Sequence, residues 1–274
     1  MQALLFDMDG VLYNGSVPIP GASQALAWVR QQKIPHLFVT NTTSRARPVL
    51  VEKLKSLDIF TVEDQIFSPP RATALWLKTQ ERGSVALFVP PATHSEFDGF
   101  PILPSRAETG ARYVVVGDLG RLWTFDTLNR AFRLLQSNPE AELIALGLTR
   151  FWQAEDGLRL DTAPFVAALE NATHRKALVF GKPAEAFFSA AVAKLGVPAG
   201  DVLMVGDDIE VDVTGAQKSG LKGALVRTGK FRPADLTGTF HPDVVLGSVA
   251  DLPACWSNLG DRAAILAKPE SSAN

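Results

Sequence analysis

The feature that most constrains this chain is the alternation of short β-rich runs with longer segments of helical periodicity. The runs ALLF (residues 3–6) and HLFVTN (36–41) flank a stretch, 21–32, whose apolar residues recur every three or four positions. Strands that alternate with helices need crossover connections, so they form a parallel sheet covered by helices. We therefore predict an α/β fold built on a doubly wound parallel sheet.

The same alternation continues to the C-terminal part of the chain, interrupted by an insert. Two further strands are predicted from QIFSPP (65–70) and KALVFGKP (176–183). We expect Pro69 and Pro70 to stop the first of them. The remaining predicted strands are DVLMVGDD (201–208), GALVRTG (223–229) and DVVLGS (243–248), with helices over 48–57, 184–195 and 211–219.

The insert has its own strands, VALFVP (85–90), RYVVVGD (112–118) and ELIALGL (142–148), and helices over 124–136 and 164–172. The parts of the chain before and after the insert carry polar residues of matching chemistry at their strand ends, and the insert carries none of that kind. We therefore predict a catalytic core formed by 1–75 and 176–274, and an inserted α/β cap domain formed by 76–175, which we expect to cover the core's polar residues.

Composition narrows the classes of function. The chain has 274 residues and a formal net charge of −2, so it has no basic footprint for nucleic acid or an anionic membrane. Cys255 is the one cysteine, which excludes an intramolecular disulfide and a thiolate metal cluster. The apolar run of MQALLFD is too short for a signal peptide, and no run is long enough to span a bilayer. We expect a cytoplasmic protein, and homodimer formation stays open.

Polar side chains follow the predicted core strands. Carboxyl ends of parallel strands are where open α/β sheets bind ligands. Each residue alone has a structural explanation, as a turn, a helix cap or an exposed lysine. Their joint occurrence in chain order favours a functional site. The residues are Asp7, Asp9, Thr40, Asn41, Lys182, Asp207, Asp208 and Asp212.

These residue types fit phosphoryl transfer. Asp7, Asp9 and Asp207 supply the hard oxygen ligands that Mg²⁺ prefers, and the cation offsets their mutual repulsion. An ionised Asp7 can attack phosphorus as the nucleophile, and Asp9 can transfer protons as general acid and base. Lys182, with Thr40 and Asn41, can hold the phosphoryl oxygens.

Four motifs in this order resemble the haloacid dehalogenase superfamily of phosphohydrolases. The motifs are DMDGVLYNG (7–15), FVTNTTSR (38–45), GKP (181–183) and VGDDIEVDV (205–213). The insert between the second and third resembles the large C2-type α/β cap of one subfamily. The resemblance implies a Rossmann-like core, an Mg²⁺ cofactor and a small phosphorylated substrate.

The resemblance also implies roles for individual residues. Mg²⁺ is held by the Asp7 carboxylate, the Asp9 main-chain carbonyl and the Asp207 carboxylate. The segment Val11–Pro20 is a mobile hairpin beside the nucleophile. The residues placed around the primary contacts, where they orient waters or Lys182, are Asp208, Asp212, Thr42 and Ser44.

Several alternatives stay open at this point. A protein that accepts phosphate on Asp7 without turnover is one, although such a protein does not need Asp9. A phosphomutase is another, whereas a halide-removing hydrolase fits poorly because it does not use the acids at Asp9 and Asp207. In the insert, GDLGRLWTF (117–125) is either a lid or an ordinary strand-to-helix turn that places Trp123 in the cap core.

Overall fold

The computed structural model describes residues 1–154 and 156–260. Contacts within it define two compact units. The first comprises Met1–Val39, Val51–Ile66 and the chain from Ala191 onward, and the second comprises Thr40–Leu50 and Phe67–Ala190. The division predicted from the sequence uses other boundaries and stays a prediction, as does the expectation that the insert covers the core acids. The last residues of the predicted core, 261–274, lie outside the described residues.

The secondary structure alternates as predicted. The strands are β1 (Ala3–Asp7), β2 (Tyr13–Asn14), β3 (Val17–Pro18), β4 (His36–Val39), β5 (Ile66–Phe67), β6 (Val85–Phe88), β7 (Tyr113–Val116), β8 (Glu142–Ala145), β9 (Phe151–Ala154), β10 (Gly157–Leu160), β11 (Leu178–Val179), β12 (Val202–Gly206), β13 (Lys222–Val226) and β14 (Val244–Leu246).

The α-helices are α1 (Ala22–Gln31), α2 (Arg47–Lys55), α3 (Pro69–Leu77), α4 (Phe125–Ser137), α5 (Thr162–Thr173), α6 (Glu185–Leu195), α7 (Gly215–Lys218) and α8 (Leu252–Cys255). Among these described helices, none has both the length and the apolar character that a membrane crossing needs.

The larger sheet, within the residues described, has six strands in the order β14-β13-β12-β1-β4-β5. β1 lies between β12 and β4 and is parallel to both, with Leu5 in register with Met204 and Leu37. Residues 3–6 of β1 are fully buried, as expected of a central strand with both faces covered. This parallel arrangement confirms the predicted α/β sheet and brings the carboxyl ends of β1 and β12 side by side.

The second unit contains a separate sheet of four parallel strands, in the order β11-β8-β7-β6. Its apolar residues pack with α4 and α5 in one core. Trp123 joins that core, stacked on Phe88 at 5.9 Å and on Phe165 at 4.6 Å between ring centroids. The structure thus confirms the core position for Trp123, and the lid role of residues 117–125 stays a prediction.

Two short hairpins complete the description. β2 pairs with β3 in the antiparallel sense, so the segment Val11–Pro20 does contain the hairpin that the motif implies. β9 and β10 form a second antiparallel pair that the periodicity did not predict.

One prediction made from an apolar run is wrong. We predicted that KALVFGKP is a strand of the core, but Leu178 and Val179 pair with Ile144 and Ala145 of β8 in the four-stranded sheet. An apolar run of residues predicts a strand, but it does not predict which other strand it pairs with. We also predicted that Pro69 and Pro70 stop a strand, and this is confirmed, because β5 ends at Phe67 and Pro69 begins α3. Proline suits the first turn of a helix, because the N–H it lacks has no partner there.

Arg175 provides a test of how the second unit is held together. Its guanidinium donates to four carbonyl oxygens, those of Pro139 (3.0 Å), Ala141 (2.5 Å), Leu135 (3.0 Å) and Asn138 (3.0 Å), which lie in and after the last turn of α4. Replacing Arg175 by Met removes a charged donor from all four. We expect Arg175→Met to lower the free energy of unfolding by about 2 kcal/mol, measured by urea denaturation.

The neighbouring residue is the control for this prediction. Lys176 has an 89% exposed side chain that contacts Glu170 at 3.3 Å, and such surface pairs contribute about 0–1 kcal/mol. Lys176→Met should therefore leave the urea midpoint nearly unchanged. An equal loss in the two variants would contradict the role assigned to the Arg175 contacts.

Candidate active site

Three aspartates of the first unit converge beyond the carboxyl ends of β1 and β12. Asp7 is the last residue of β1, Asp207 directly follows β12, and Asp212 lies in the next turn of helix. One carboxylate oxygen from each of the three lies within 4.8 Å of the other two. Asp207 and Asp212 are each only 1% exposed. Carboxylates this close and this buried repel one another, so the arrangement favours a bound cation.

Glycine makes this approach of the acids sterically possible. A Cβ atom on Gly10 would lie 2.0 Å from Asp207 Oδ2, and Gly10 has a positive φ of 84° that disfavours other residues. A Cβ on Gly206 would lie 2.2 Å from the Cβ of Asp212. The donor set consists of hard oxygens, and the glycines hold them together, so these residues fit an oxygen-preferring divalent cation.

The chain after Asp207 folds as a π-helical turn over Ile209–Thr214 and continues into α7. Asp208 caps this turn: its Oδ1 accepts from the N–H groups of Glu210 (3.1 Å) and Val211 (3.0 Å). The Asp208 N–H in turn donates to Asp212 Oδ2 at 3.3 Å. We predicted an α-helix over 211–219; the wider π turn instead aims Asp212 back toward Asp7 and Asp207. Such π segments occur often at functional sites.

A lysine that we assigned no role from the sequence contacts this cluster. The main-chain N–H of Lys230 donates to Asp207 Oδ2 at 2.7 Å, and its ammonium lies 3.5 Å from Asp208 Oδ2. Partial desolvation of the ammonium by itself lowers the pKa of Lys230, but the surrounding carboxylates, Asp207 foremost, outweigh it and raise the pKa above the ordinary value. The strand-end rule that selected the acids could have found Lys230, because it follows β13.

Asp9, the predicted general acid and base, is exposed. Its Oδ1 accepts from the N–H of Gly15 at 3.3 Å, across the turn that leads into the β2–β3 hairpin. The chain thus places its carboxyl near the surface, in contrast to Asp207 and Asp212.

The predicted phosphate-binding residues lie in the second unit. The Asn41 side chain donates to the Lys182 carbonyl (2.9 Å) and accepts from the Lys182 N–H (2.8 Å), which ties the second motif to the third. Lys182 is only 6% exposed. The Thr40 hydroxyl accepts from the N–H of Thr42 and donates to the Thr42 hydroxyl, whereas Ser44 is exposed. The structure therefore brings Thr40, Asn41 and Lys182 into one pair of loops.

The insert touches the same loops within the second unit. The N–H of Asp118, two residues after the end of β7, donates to the hydroxyl of Thr43 at 3.3 Å. Burial raises the pKa of Asp118, and the nearby Asp161 carboxylate raises it further. A Cβ on Gly181 would lie 2.7 Å from the carbonyl oxygen of Leu146, so the loop after β8 lies against the third motif.

A parallel α/β sheet with clustered acids at its strand ends is an arrangement that can hold a metal ion, and comparison with known proteins identifies the family. A model described as haloacid dehalogenase-like hydrolase matches residues 4–101, and a HAD-hydrolase-like model matches 179–252. Haloacid dehalogenase-like hydrolase domain-containing protein 2 of Bos taurus is 39% identical over 235 residues, 86% of this chain and 87% of the relative.

Two further relatives have names that state an activity. Phospholysine phosphohistidine inorganic pyrophosphate phosphatase of Homo sapiens is 34% identical over 255 residues, 92% of this chain and 91% of the relative. Among solved structures, a p-nitrophenyl phosphatase from Archaeoglobus fulgidus is 29% identical with a TM-score of 0.82, covering 93% of this chain and 98% of that one. The chain belongs to the haloacid dehalogenase-like hydrolases, and the predicted enzyme class, a phosphatase of that family, is confirmed.

Gly10 tests whether the packing around Asp207 matters for function. In Gly10→Ala the new methyl group must displace the Asp207 carboxylate, and misplacements of about 1 Å at a catalytic site can cost about a hundredfold in rate. We expect kcat/KM for p-nitrophenyl phosphate with Mg²⁺ to fall by about that factor.

Gly110→Ala is the matched control. Gly110 also has a positive φ, 86°, close to that of Gly10, but nothing lies within 4 Å of its Cβ position. Both variants share a backbone strain of about 1–2 kcal/mol, so the difference between them isolates the contact with Asp207. Equal activities in the two variants would refute the steric argument.

Proposed function

We propose that this phosphatase is Mg²⁺-dependent and hydrolyses a small phosphorylated molecule through an aspartyl-phosphate on Asp7. The observation that carries the proposal is the approach of carboxylate oxygens from Asp7, Asp207 and Asp212 to within 4.8 Å of one another. Mg²⁺ would be held by the carboxylates of Asp7 and Asp207 and the main-chain carbonyl of Asp9. Bound there, the ion supplies positive charge that offsets the charge of the phosphoryl group.

The first step uses Asp7 and Asp9. A carboxylate oxygen of Asp7 attacks phosphorus, the bond from phosphorus to the leaving atom breaks, and the Asp9 carboxyl gives its proton to that atom. Exposure of Asp9 is compatible with this role, because its proton has to exchange between a leaving group and a water.

The second step regenerates the enzyme. The Asp9 carboxylate takes a proton from water, the water oxygen attacks phosphorus, and inorganic phosphate leaves with Asp7 restored. Dividing the reaction in this way replaces one difficult displacement by two easier ones.

The remaining residues position these groups. We assign the positive charge of Lys182 to the phosphoryl oxygens. The two hydrogen bonds of the Asn41 side chain hold the Lys182 main chain in place. Thr40 offers a hydroxyl to the same oxygens. Asp212 belongs to the acidic cluster, and we assign it and Asp208 to orienting the water around the cation. Thr42 orients the Thr40 hydroxyl through two hydrogen bonds, and we assign exposed Ser44 to the surroundings of the second motif.

The substrate class follows from the relatives and is tested by a panel. One relative is named for phospholysine, phosphohistidine and pyrophosphate, and another for p-nitrophenyl phosphate. We propose a phosphomonoester, phosphoramidate or pyrophosphate. Release of inorganic phosphate from such a panel identifies the class. Formation of a phosphorylated protein without release would support the phosphate-accepting alternative, and an isomeric phosphate product would support a phosphomutase.

The metal proposal predicts loss of activity on chelation. Phosphate release should fall to background in excess EDTA and return with Mg²⁺. Ca²⁺ should restore it poorly, because its larger and looser oxygen shell misplaces the phosphoryl group. Full activity after exhaustive chelation would rule out the metal site as drawn.

The nucleophile proposal predicts that Asp7→Asn abolishes turnover. An amide cannot form the aspartyl-phosphate, so kcat should fall by at least about a thousandfold. Asp201→Asn is the control, because Asp201 accepts a hydrogen bond from Gln2 Nε2 at the surface, which an amide oxygen can still do. Circular dichroism should show both variants folded.

Asp9→Asn separates the two steps. It should also be inactive, but the protein can retain phosphate on Asp7, which mass spectrometry of the intact chain detects.

Should Asp7→Asn keep more than a few per cent of the wild-type kcat, the nucleophile is another residue.

A further inference from the structure

The segment Thr228–Lys230 lies against the acidic cluster. The Thr228 hydroxyl donates to the carbonyl oxygen of Gly10, and the Lys230 N–H donates to Asp207 Oδ2 at 2.7 Å. Between them, a Cβ on Gly229 would lie 2.1 Å from Asp207 Oδ2, and Gly229 has a φ of 64°. This segment therefore fixes the position of Asp207 through its main chain.

The Lys230 side chain adds a charge to the same place. Its ammonium lies 3.5 Å from Asp208 Oδ2 and feels the fields of Asp7, Asp207 and Asp212 as well. With Asp207, Asp208, Glu210 and Arg232 it lines a cavity of ≈ 380 Å³. The side chain is 71% exposed, so solvent screens these interactions in part.

The charge balance of the cluster depends on this lysine. The four carboxylates of Asp7, Asp207, Asp208 and Asp212 beside one ammonium leave three net negative charges. A divalent cation reduces them to one, and without the ammonium two would remain. A phosphate dianion approaching the loaded site is therefore repelled less when Lys230 is present, while the cation itself is attracted less.

We propose that Lys230 is the fixed counter-ion of the acidic cluster, which weakens the binding of the divalent cation and strengthens the binding of phosphate. This inference rests on the metal site of the proposed function. Lys230 acts through its charge on the acidic cluster, whereas Lys182 is assigned to the phosphoryl oxygens. Removing the charge of Lys230 is therefore expected to strengthen cation binding and weaken phosphate binding.

The side chain can be changed without losing the main-chain bond to Asp207. Lys230→Met keeps the N–H and a chain of similar length and removes only the charge, whereas Lys230→Arg keeps the charge. Lys222→Met is the matched control: Lys222 begins β13, at the end of the strand opposite the acids, and its ammonium pairs with Asp243 at 2.9 Å.

The experiment measures the dissociation constants of Mg²⁺ alone and of inorganic phosphate at saturating Mg²⁺, by isothermal titration calorimetry at low ionic strength. We expect Lys230→Met to bind Mg²⁺ about two- to fivefold more tightly and phosphate about two- to fivefold more weakly. Both differences should shrink at about 1 M salt, where the Debye length is about 3 Å. Lys230→Arg and Lys222→Met should match the wild type.

Three outcomes would overturn the inference. Weaker binding of both ligands would mean that the lysine only supports its loop, and unchanged binding of both would mean that its charge has no effect. If the wild-type protein itself shows no saturable Mg²⁺ binding, the metal site of the proposed function fails, and the inference with it. The wild-type titration therefore distinguishes failure of the site from failure of the role given to Lys230.

Discussion

The repulsion among Asp7, Asp207 and Asp212 is the constraint on which the rest of the site depends. Three carboxylates within 4.8 Å, two of them 1% exposed, are tolerable only where compensating groups are built around them. The compensation begins in the chain itself. The N–H of Lys230 donates to Asp207, that of Asp208 donates to Asp212, and the ammonium of Lys230 lies nearby. Glycines at 10, 206 and 229 leave room for this packing.

The topology of the sheet explains why these acids meet at all. Asp7 and Asp207 are two hundred positions apart in the chain, yet β1 and β12 are parallel neighbours with Phe6 in register with Val205. Neighbouring parallel strands have their carboxyl ends at the same edge of the sheet, so polar residues that directly follow them lie close together. The apolar residues of β1 and β12 are fully buried, which holds that edge rigid. Rigid strands position catalytic side chains better than loops do.

The second unit joins the loops of the second and third motifs to the insert through short contacts. Asn41 holds the Lys182 main chain, Thr43 accepts from the N–H of Asp118, and Gly181 lies against Leu146. The loops that end β7 and β8 are therefore coupled to the second and third motifs.

Local pattern by itself determined much of this protein. The alternation of strands and helices, the acids after β1 and β12 and the polar residues after β4 can all be read from neighbouring residues, because burial and turn chemistry act over a few positions. Only the tertiary structure decided which sheet β11 joins, that Pro69 begins a helix, that a π turn brings Asp212 to Asp7, and that Lys230 faces the cluster. Those outcomes depend on partners far away in the chain. An apolar run carries no signal for such a partner until packing selects it. The position of Lys230 after a strand indicates the edge of the sheet but not the acids that the lysine meets there.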